Sequence, residues 1–411
     1  MSIEAVEATI STVASAPTGF APVEELPRVS RSLARQAVVD TLASRGARVG
    51  LVWLALLAFF AVFSPFIASS HPLLVKMDGR WSSPLLRYLT PADALFLIGA
   101  LVALVLGVSR RYSFGRSVLV LVAVIAVSAV LSFWLVRPPQ NVDYSQYRQW
   151  ARQDRIERAL YTLIPYSPSD RLRDQPQARL EPPGREHWLG TDTNGADVLS
   201  NILHASRIAL SIGFIATSIS VLLGILIGGV MGYYAGTIDL VGMRLIEMFE
   251  AIPRLILLIV VNAFVHHRNI YIMMTVIGLT GWTSYARYLR AEFLTLRGRD
   301  FVQAAIGAGL PRRSILFRHM LPNGLTPILV STTFGVASAI LYESILSFLG
   351  LGLVDEPSWG GLLNQARAGG SGFVWWIALF PGLAIFLTVF SYNLVGEAVR
   401  DALDPKLRKR D

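Results

Sequence analysis

Eight stretches of this chain are almost uninterruptedly apolar, and polar segments of very unequal length separate them. They fall at 51–67, 94–108, 117–136, 208–235, 245–265, 270–289, 323–349 and 374–396. A helix needs about 20 apolar residues, with a range of about 17–25, to cross the hydrocarbon core of a bilayer. Each run therefore predicts a span, with 94–108 the shortest of them. The expected fold is an all-α membrane protein, a polytopic helical bundle of about eight spans.

The polar segments set the expected organisation. Residues 1–49 carry Pro17, Pro22 and Pro27, then Arg28, Arg31, Arg35, Arg45 and Arg48, and read as a disordered start followed by a basic segment on the inner membrane surface. A secretory signal peptide would place its apolar core much earlier. Residues 50–136 hold three spans, and Arg110, Arg111 and Arg116 place the second connector on the cytoplasmic side. Residues 137–206 then face the opposite side. This segment is rich in arginine, but the positive-inside rule weakens for loops longer than about 60 residues. Within it Tyr147, Trp150 and Leu160 mark an amphipathic helix. Residues 207–400 form a core of five spans, and 401–411 a basic tail. Parity brings the 300–322 loop and both termini to the cytoplasmic side of a cell membrane, where Arg297, Arg299, Arg312, Arg313, Arg318, Arg400 and Lys406 agree with it.

Composition narrows the class. Charged residues make up 16% of the chain, against about 25% in soluble domains, and the mean hydropathy is +0.50. The net charge of +9 sits beside apolar runs, with no aromatic-interleaved basic patch, so it implies membrane orientation and no nucleic acid. The chain has no cysteine, which excludes disulfides and thiolate chemistry. It has no Gly-x-x-x-x-Gly-Lys-Ser/Thr, so it binds no ATP through a Walker site. No catalytic triad, carboxylate pair or metal cluster stands at a meaningful spacing, and the expectation is a protein that is not itself an enzyme.

The informative punctuation lies between the sixth and seventh runs, from Asp300 to Pro322. Gly309 suits the left-handed position after a helix end, and Pro311 the first turn of the next helix. Phe301, Ala304, Ala305 and Ala308 share one face at helical spacing, where small side chains admit a partner's backbone and Phe301 supplies an apolar anchor. In the run at 208–235, Gly213, Ala216, Gly224, Gly228, Gly229 and Gly232 read as a helix-packing face.

Gln303-Ala304-Ala305, then Gly309, then Leu321-Pro322 with His319 two residues before Leu321, resembles the Glu-Ala-Ala loop of ABC importer permeases. The spacing matches throughout, and Gln303 stands where the family has glutamate. Leu189-Gly190-Thr191-Asp192 through Gly195, Asp197, Val198, Leu199 and Ser200 resembles the segment before the second span in the dipeptide, oligopeptide and nickel group, with Ala196 in place of its usual arginine. Glu343 with 346–352 and Pro357-Ser358-Trp359-Gly360 resembles that group's outward loop after the fifth span, and 396–405 its C-terminal signature. The resemblance covers most of 45–70 and 185–408. It implies a type I importer permease core of about six spans, to which this chain adds a pair at 94–136 and an enlarged outer segment.

The resemblance also implies function: an ATP-driven importer of peptides or related small solutes, in which the 300–322 loop docks on an ATPase subunit. The implied partners are a second permease subunit, two ABC ATPase subunits and an extracytoplasmic binding protein, with ATP and Mg on the partners and no cofactor on this chain. Gly190, Thr191, Asp192, Asp197, Pro357, Trp359 and Gly360 are the expected residues facing the binding protein. Glu343 lies within a span, where an ionisable group is a functional candidate, with an arginine of the outer loop as its alternative structural partner. Glu247, Glu250 and Arg254 read as mutual partners or as groups reaching for the interface. His266 and His267 are adjacent, a spacing better suited to a solvated turn than to a metal. An ion-coupled secondary transporter or a channel is the alternative, and would place ion sites near mid-membrane.

Overall fold

The computed structural model describes residues 33–109, 114–137, 139, 142–265, 269–353, 356–368 and 372–403. Most of residues 1–49, Arg110 and Arg111, His266 and His267, and the basic tail after 403 lie outside them.

Helices dominate. In chain order they are α1 (Leu33–Ala43), α2 (Arg45–Ile67), the short α3 (Pro84–Arg87), α4 (Pro91–Val108), α5 (Phe114–Leu135), α6 (Gln146–Arg152), α7 (Val198–Tyr234), α8 (Gly236–Glu250) and α9 (Arg254–Phe264). There follow α10 (Ile270–Thr280), α11 (Trp282–Arg297), α12 (Asp300–Gly307), α13 (Arg312–Ser314), a π-helical segment Ile315–Met320, α14 (Leu321–Gly324), α15 (Thr326–Phe348), α16 (Trp359–Ala368) and α17 (Trp375–Leu403). Helices α2, α7, α15 and α17 are each long and apolar enough to span a membrane. The α4–α5 pair and two broken passes, α8–α9 and α10–α11, bring the bundle to eight.

The two breaks correct the expectation of single spans at 245–265 and 270–289. Pro253 has no backbone N–H and biases the residue before it away from helix, so α8 stops at Glu250 and α9 starts at Arg254. Gly281 separates α10 from α11. The span expected from 208 begins ten residues earlier, because Asp197 accepts the Ser200 N–H at 2.8 Å and caps a 37-residue helix.

The central contact is α7 against α11. A Cβ on Gly228 would meet the backbone of Ala286, and one on Gly232 would lie 2.6 Å from Phe293, so only glycine lets these helices come so close. The added pair is tied to the core by Arg207 of α7. Its guanidinium pairs with Asp93 of α4 and donates to the Ala61 carbonyl of α2 at 3.0 Å.

One end of the bundle, where α7 begins, carries a polar cap that includes a small antiparallel sheet of order β2-β1-β3. Strands β1 (Leu74–Met77) and β2 (Arg80–Ser82) form a hairpin whose Asp78 and Gly79 both have positive φ. Strand β3 (Arg158–Leu160) pairs with β1, Leu160 opposite Leu74. Leu160 therefore belongs to a strand and not to the amphipathic helix, which is the short α6. The other end, where α7 finishes, carries the 300–322 loop.

Candidate coupling loop and outer cleft

The loop is folded on a small apolar core of its own. Val302, Ala305, Ile315 and Met320 are buried together with Phe293 and Leu296 of α11 and Ile328 of α15. One cluster thus joins the loop to the helices on both sides of it. Asp300 lies in the first turn of α12, where a negative charge suits the helix dipole. At the other end Gly309 has φ +73°, its N–H donates to the Ile306 carbonyl at 3.0 Å, and the Leu310 N–H donates to Ala305 at 3.2 Å. That is the paired closure of a Schellman cap. Pro311 precedes α13 as its capping residue, His319 is half-buried and accepts the Asn323 amide at 2.7 Å on its carbonyl, and Leu321 packs on the cluster while Pro322 is exposed.

The outward face differs from the expected one. Ala305 is 6% exposed and points inward, because it shares the buried side of α12 with Val302 three residues earlier. What faces out is Phe301 at 43%, with Gln303, Ala304, Ile306 and Ala308, and beyond the cap Leu310 and Phe317. Gln303 donates its side-chain amide to the Arg297 carbonyl at 2.8 Å. It closes the last turn of α11, a bond that a glutamate at this position has no proton to make.

At the capped end, the residues expected to face a binding protein are mostly turned inward. Thr191 donates to the Ala178 carbonyl and accepts the Glu181 N–H, while its own carbonyl takes the Trp376 indole at 3.1 Å. Asp192 is buried and accepts the N–H groups of Asn194 and Ala196, each at 2.8 Å, and burial raises its carboxyl above the usual range. Asp197 bridges the start of α7 and His187. Trp359 is 1% exposed and bonded to Ile202, Gly360 lies on the backbone of Ser344, and Gly190 is buried in a left-handed turn. Of the set only Pro357 is half-exposed. Their signature is that of turns and caps which lock the loops to the helices. Among the described residues Glu343 likewise meets no arginine: its carboxylate accepts the hydroxyls of Ser347 and Ser358 at 2.7 and 2.8 Å and of Ser344 at 3.3 Å.

Between those loops and the polar cap opens a cleft of about 790 Å3, lined by Tyr144, Asp170, Asn194, Asn201, Pro357 and Gln365 among others. One wall is the added segment. Arg148 of α6 holds that wall, donating to Asp170 at 2.6 Å and to Asp174 at 2.8 Å, which keeps the Asp174 carboxyl below its ordinary range. Beside it His71 is buried, stacked on Tyr88 at 3.8 Å between ring centres, with Tyr144 and Tyr147 at its edges. Neither Arg148 nor His71 is a candidate from the sequence, since their partners are remote along the chain.

The fold is that of a polytopic helical membrane protein with a folded loop hanging from one end. Residues 221–409 match the family described as the binding-protein-dependent transport system inner membrane component. The chain is 33% identical over 359 residues to the inner membrane ABC transporter permease protein YejE of Escherichia coli, a match covering 86% of this chain and 92% of that protein. It is 36% identical to the dipeptide transport system permease protein DppC of Alkalihalophilus pseudofirmus, over 57% of this chain and 76% of that one. It is 38% identical to the oligopeptide transport system permease protein OppC of Haemophilus influenzae, over 54% and 71%. The chain belongs to this family, the permeases of ABC importers. The YejE match covers most of this chain, whereas the other two cover little more than half of it.

Proposed function

We propose that this permease carries peptides or related small solutes, and that the 300–322 loop is where its ATPase acts. The reading places the loop and both termini in the cytoplasm and 137–206 outside. The assembly would comprise a second permease subunit, two ATPase subunits that hold ATP and Mg, and an extracytoplasmic binding protein delivering cargo to the outer cleft. The substrate class rests on the names of the relatives. The mechanical part rests on one observation: the cluster of Phe293, Val302, Ala305, Met320 and Ile328 makes the loop, α11 and α15 one packed unit. Closure of an ATPase dimer against Phe301 and its neighbours therefore displaces two spans together, while Gly281 gives α11 a place to pivot against α10.

The test is reconstitution with the ATPases and the binding protein in proteoliposomes, followed by uptake of an oligopeptide. Uptake is expected to need ATP and to disappear when Phe301 and Phe317 are both replaced by serine. Peptide uptake by this chain alone under a proton or sodium gradient overturns the reading.

A further inference from the structure

Both helix breaks lie at one height. Ser220 of α7 donates its hydroxyl to the Gly278 carbonyl at 2.7 Å, and Arg254 donates from Nη2 to the Ile277 carbonyl at 3.0 Å. The two side chains thus bond to carbonyls in the last turn of α10, beside the Gly281 N–H on Gly278 and the Thr280 hydroxyl on Ile277. Ser220 is near the middle of α7, roughly 20 Å from its nearer end at about 1.5 Å per residue.

A guanidinium held among membrane-spanning helices calls for a counter-charge. Among the described residues Arg254 has none. Glu250 pairs with Arg287, Glu247 with Arg244, and Glu343 with the three serines. Of the five N–H groups of Arg254, Nε is buried without an acceptor. Around it, the break leaves the first N–H groups of α9 uncapped by any side chain, since Pro253 offers none, and the first closing bond is from Leu257 to the Pro253 carbonyl. Helix dipole and guanidinium therefore place positive charge at the same point. The guanidinium carbon lies 4.6 Å from the centre of the Tyr342 ring. That arrangement suits an anion that arrives and departs, because the aromatic face and the Ile277 carbonyl hold the charge between visits.

We infer that Arg254 and the start of α9 form an intramembrane site for the carboxylate of the cargo, the C-terminal group if the cargo is a peptide. The inference rests on the peptide reading above. An acidic side chain of the second permease subunit is the competing occupant, and the test separates the two.

The experiment measures ATP-driven uptake by the complete reconstituted complex of an oligopeptide and of its C-terminal amide, a pair chosen for equal binding to the receptor protein. Arg254→Gln is expected to lower uptake of the free acid about tenfold or more, the size of one charge-assisted hydrogen bond, and to leave the amide within about twofold. Arg254→Lys, which keeps the charge, should recover part of the preference for the acid. Equal losses on both peptides, or no loss, overturn the inference. So does failure of Arg254→Gln to assemble with the second permease when Arg254→Lys assembles, since that outcome assigns the counter-charge to the partner. If the unaltered complex carries neither peptide, the peptide reading falls and the inference with it.

Discussion

The two ends of this bundle are built on opposite principles. The polar cap satisfies most of its charge: Arg148 is matched by two aspartates, Asp197 by His187 and a helix start, and Asp192 by two backbone N–H groups, while Nε2 of His71 and of His187 are buried without a partner. The 300–322 loop satisfies only the side packed on α11 and α15. Val302 and Met320 are buried, whereas Phe301, Ile306, Leu310 and Phe317 stay exposed and Arg312, Arg313 and Arg318 have no carboxylate partner among the described residues. A surface whose charges are paired serves as a frame, and a surface left open awaits a partner. Substitutions in the cap should therefore change stability, and those in the loop should change transport with the cap undisturbed.

The largest effect is expected at Arg148. Arg148→Met leaves Asp170 with only the Ser70 hydroxyl and the Leu172 N–H, and Asp174 with only Arg152 at 3.9 Å, a loss on the order of 3 kcal/mol. In membrane vesicles the 137–206 segment should become cleavable by protease while α7 and α11 stay protected. An unchanged cleavage pattern would show that the cap does not depend on this clamp.

Acid should loosen the same cap. Burial lowers the pKa of His71 from 6.5 to about 4, against the opposing pull of Asp170 and Asp143. The unfolded cap then binds more protons than the folded one between those values. The contribution of His71 is complete above pH 6.5 and is lost as pH falls to 4, on the order of 3 kcal/mol in all. Asp192, whose carboxyl is raised, works in the reverse sense, so the comparison with His71→Gln isolates the histidine. Protection factors of residues 68–83, corrected for intrinsic exchange, should fall over that window by more in the unaltered protein than in the variant. Equal slopes in both would remove His71 from the account.

The uneven legibility of the sequence follows the same division. Apolar runs at 51–67 and 374–396 become helices that carry Pro65 and Pro381 within them, and 323–349 becomes one from Thr326 onward, because their length of apolar sequence outweighs a single breaker. Asp300–Pro322 is legible for the opposite reason, since Gly309 and Pro311 are local signals and the Schellman cap needs no distant partner. Ala305 departs from expectation, because helical spacing says which residues share a face and not which face the chain buries. Pro253 does carry a signal for the break at α9, and Asp78-Gly79 for the β1–β2 hairpin. The clamp on Arg148 carries none, because Asp170 and Asp174 meet it only after the segment has folded back. The inward turning of Thr191, Asp192 and Trp359 is equally invisible, as cap and turn residues look like any polar surface until their partners are in place.

At the inner end Gly309→Val tests shape directly. A Cβ at this glycine would have nothing within 4 Å, so the substitution meets no clash and acts through φ alone. A left-handed β-branched residue costs about 1–2 kcal/mol, enough to shift α13 relative to α12. ATP-driven uptake should fall strongly while protease resistance of the outer cap is retained, and Gly309→Asn, which tolerates the conformation, should restore much of the transport. Loss of cap resistance alongside transport would mean that the two ends are not separable.

The smallest effect, and the sharpest on how the loop is recognised, belongs to Gln303. Gln303→Glu removes the donor to the Arg297 carbonyl, a loss of at most about 1 kcal/mol for an exposed bond. It also adds a negative charge near the start of α12, which the helix dipole favours by about 0.3–1 kcal/mol. The two nearly offset, so stability should be unchanged and uptake altered by no more than about twofold. Gln303→Ala loses the bond without gaining the charge, and should lie slightly below both in transport. A partner that grips Phe301 and the small residues beside it reads shape and is indifferent to this charge. A tenfold change with Gln303→Glu but not with Gln303→Ala would reverse that conclusion, making the contact electrostatic and Gln303 its selective element.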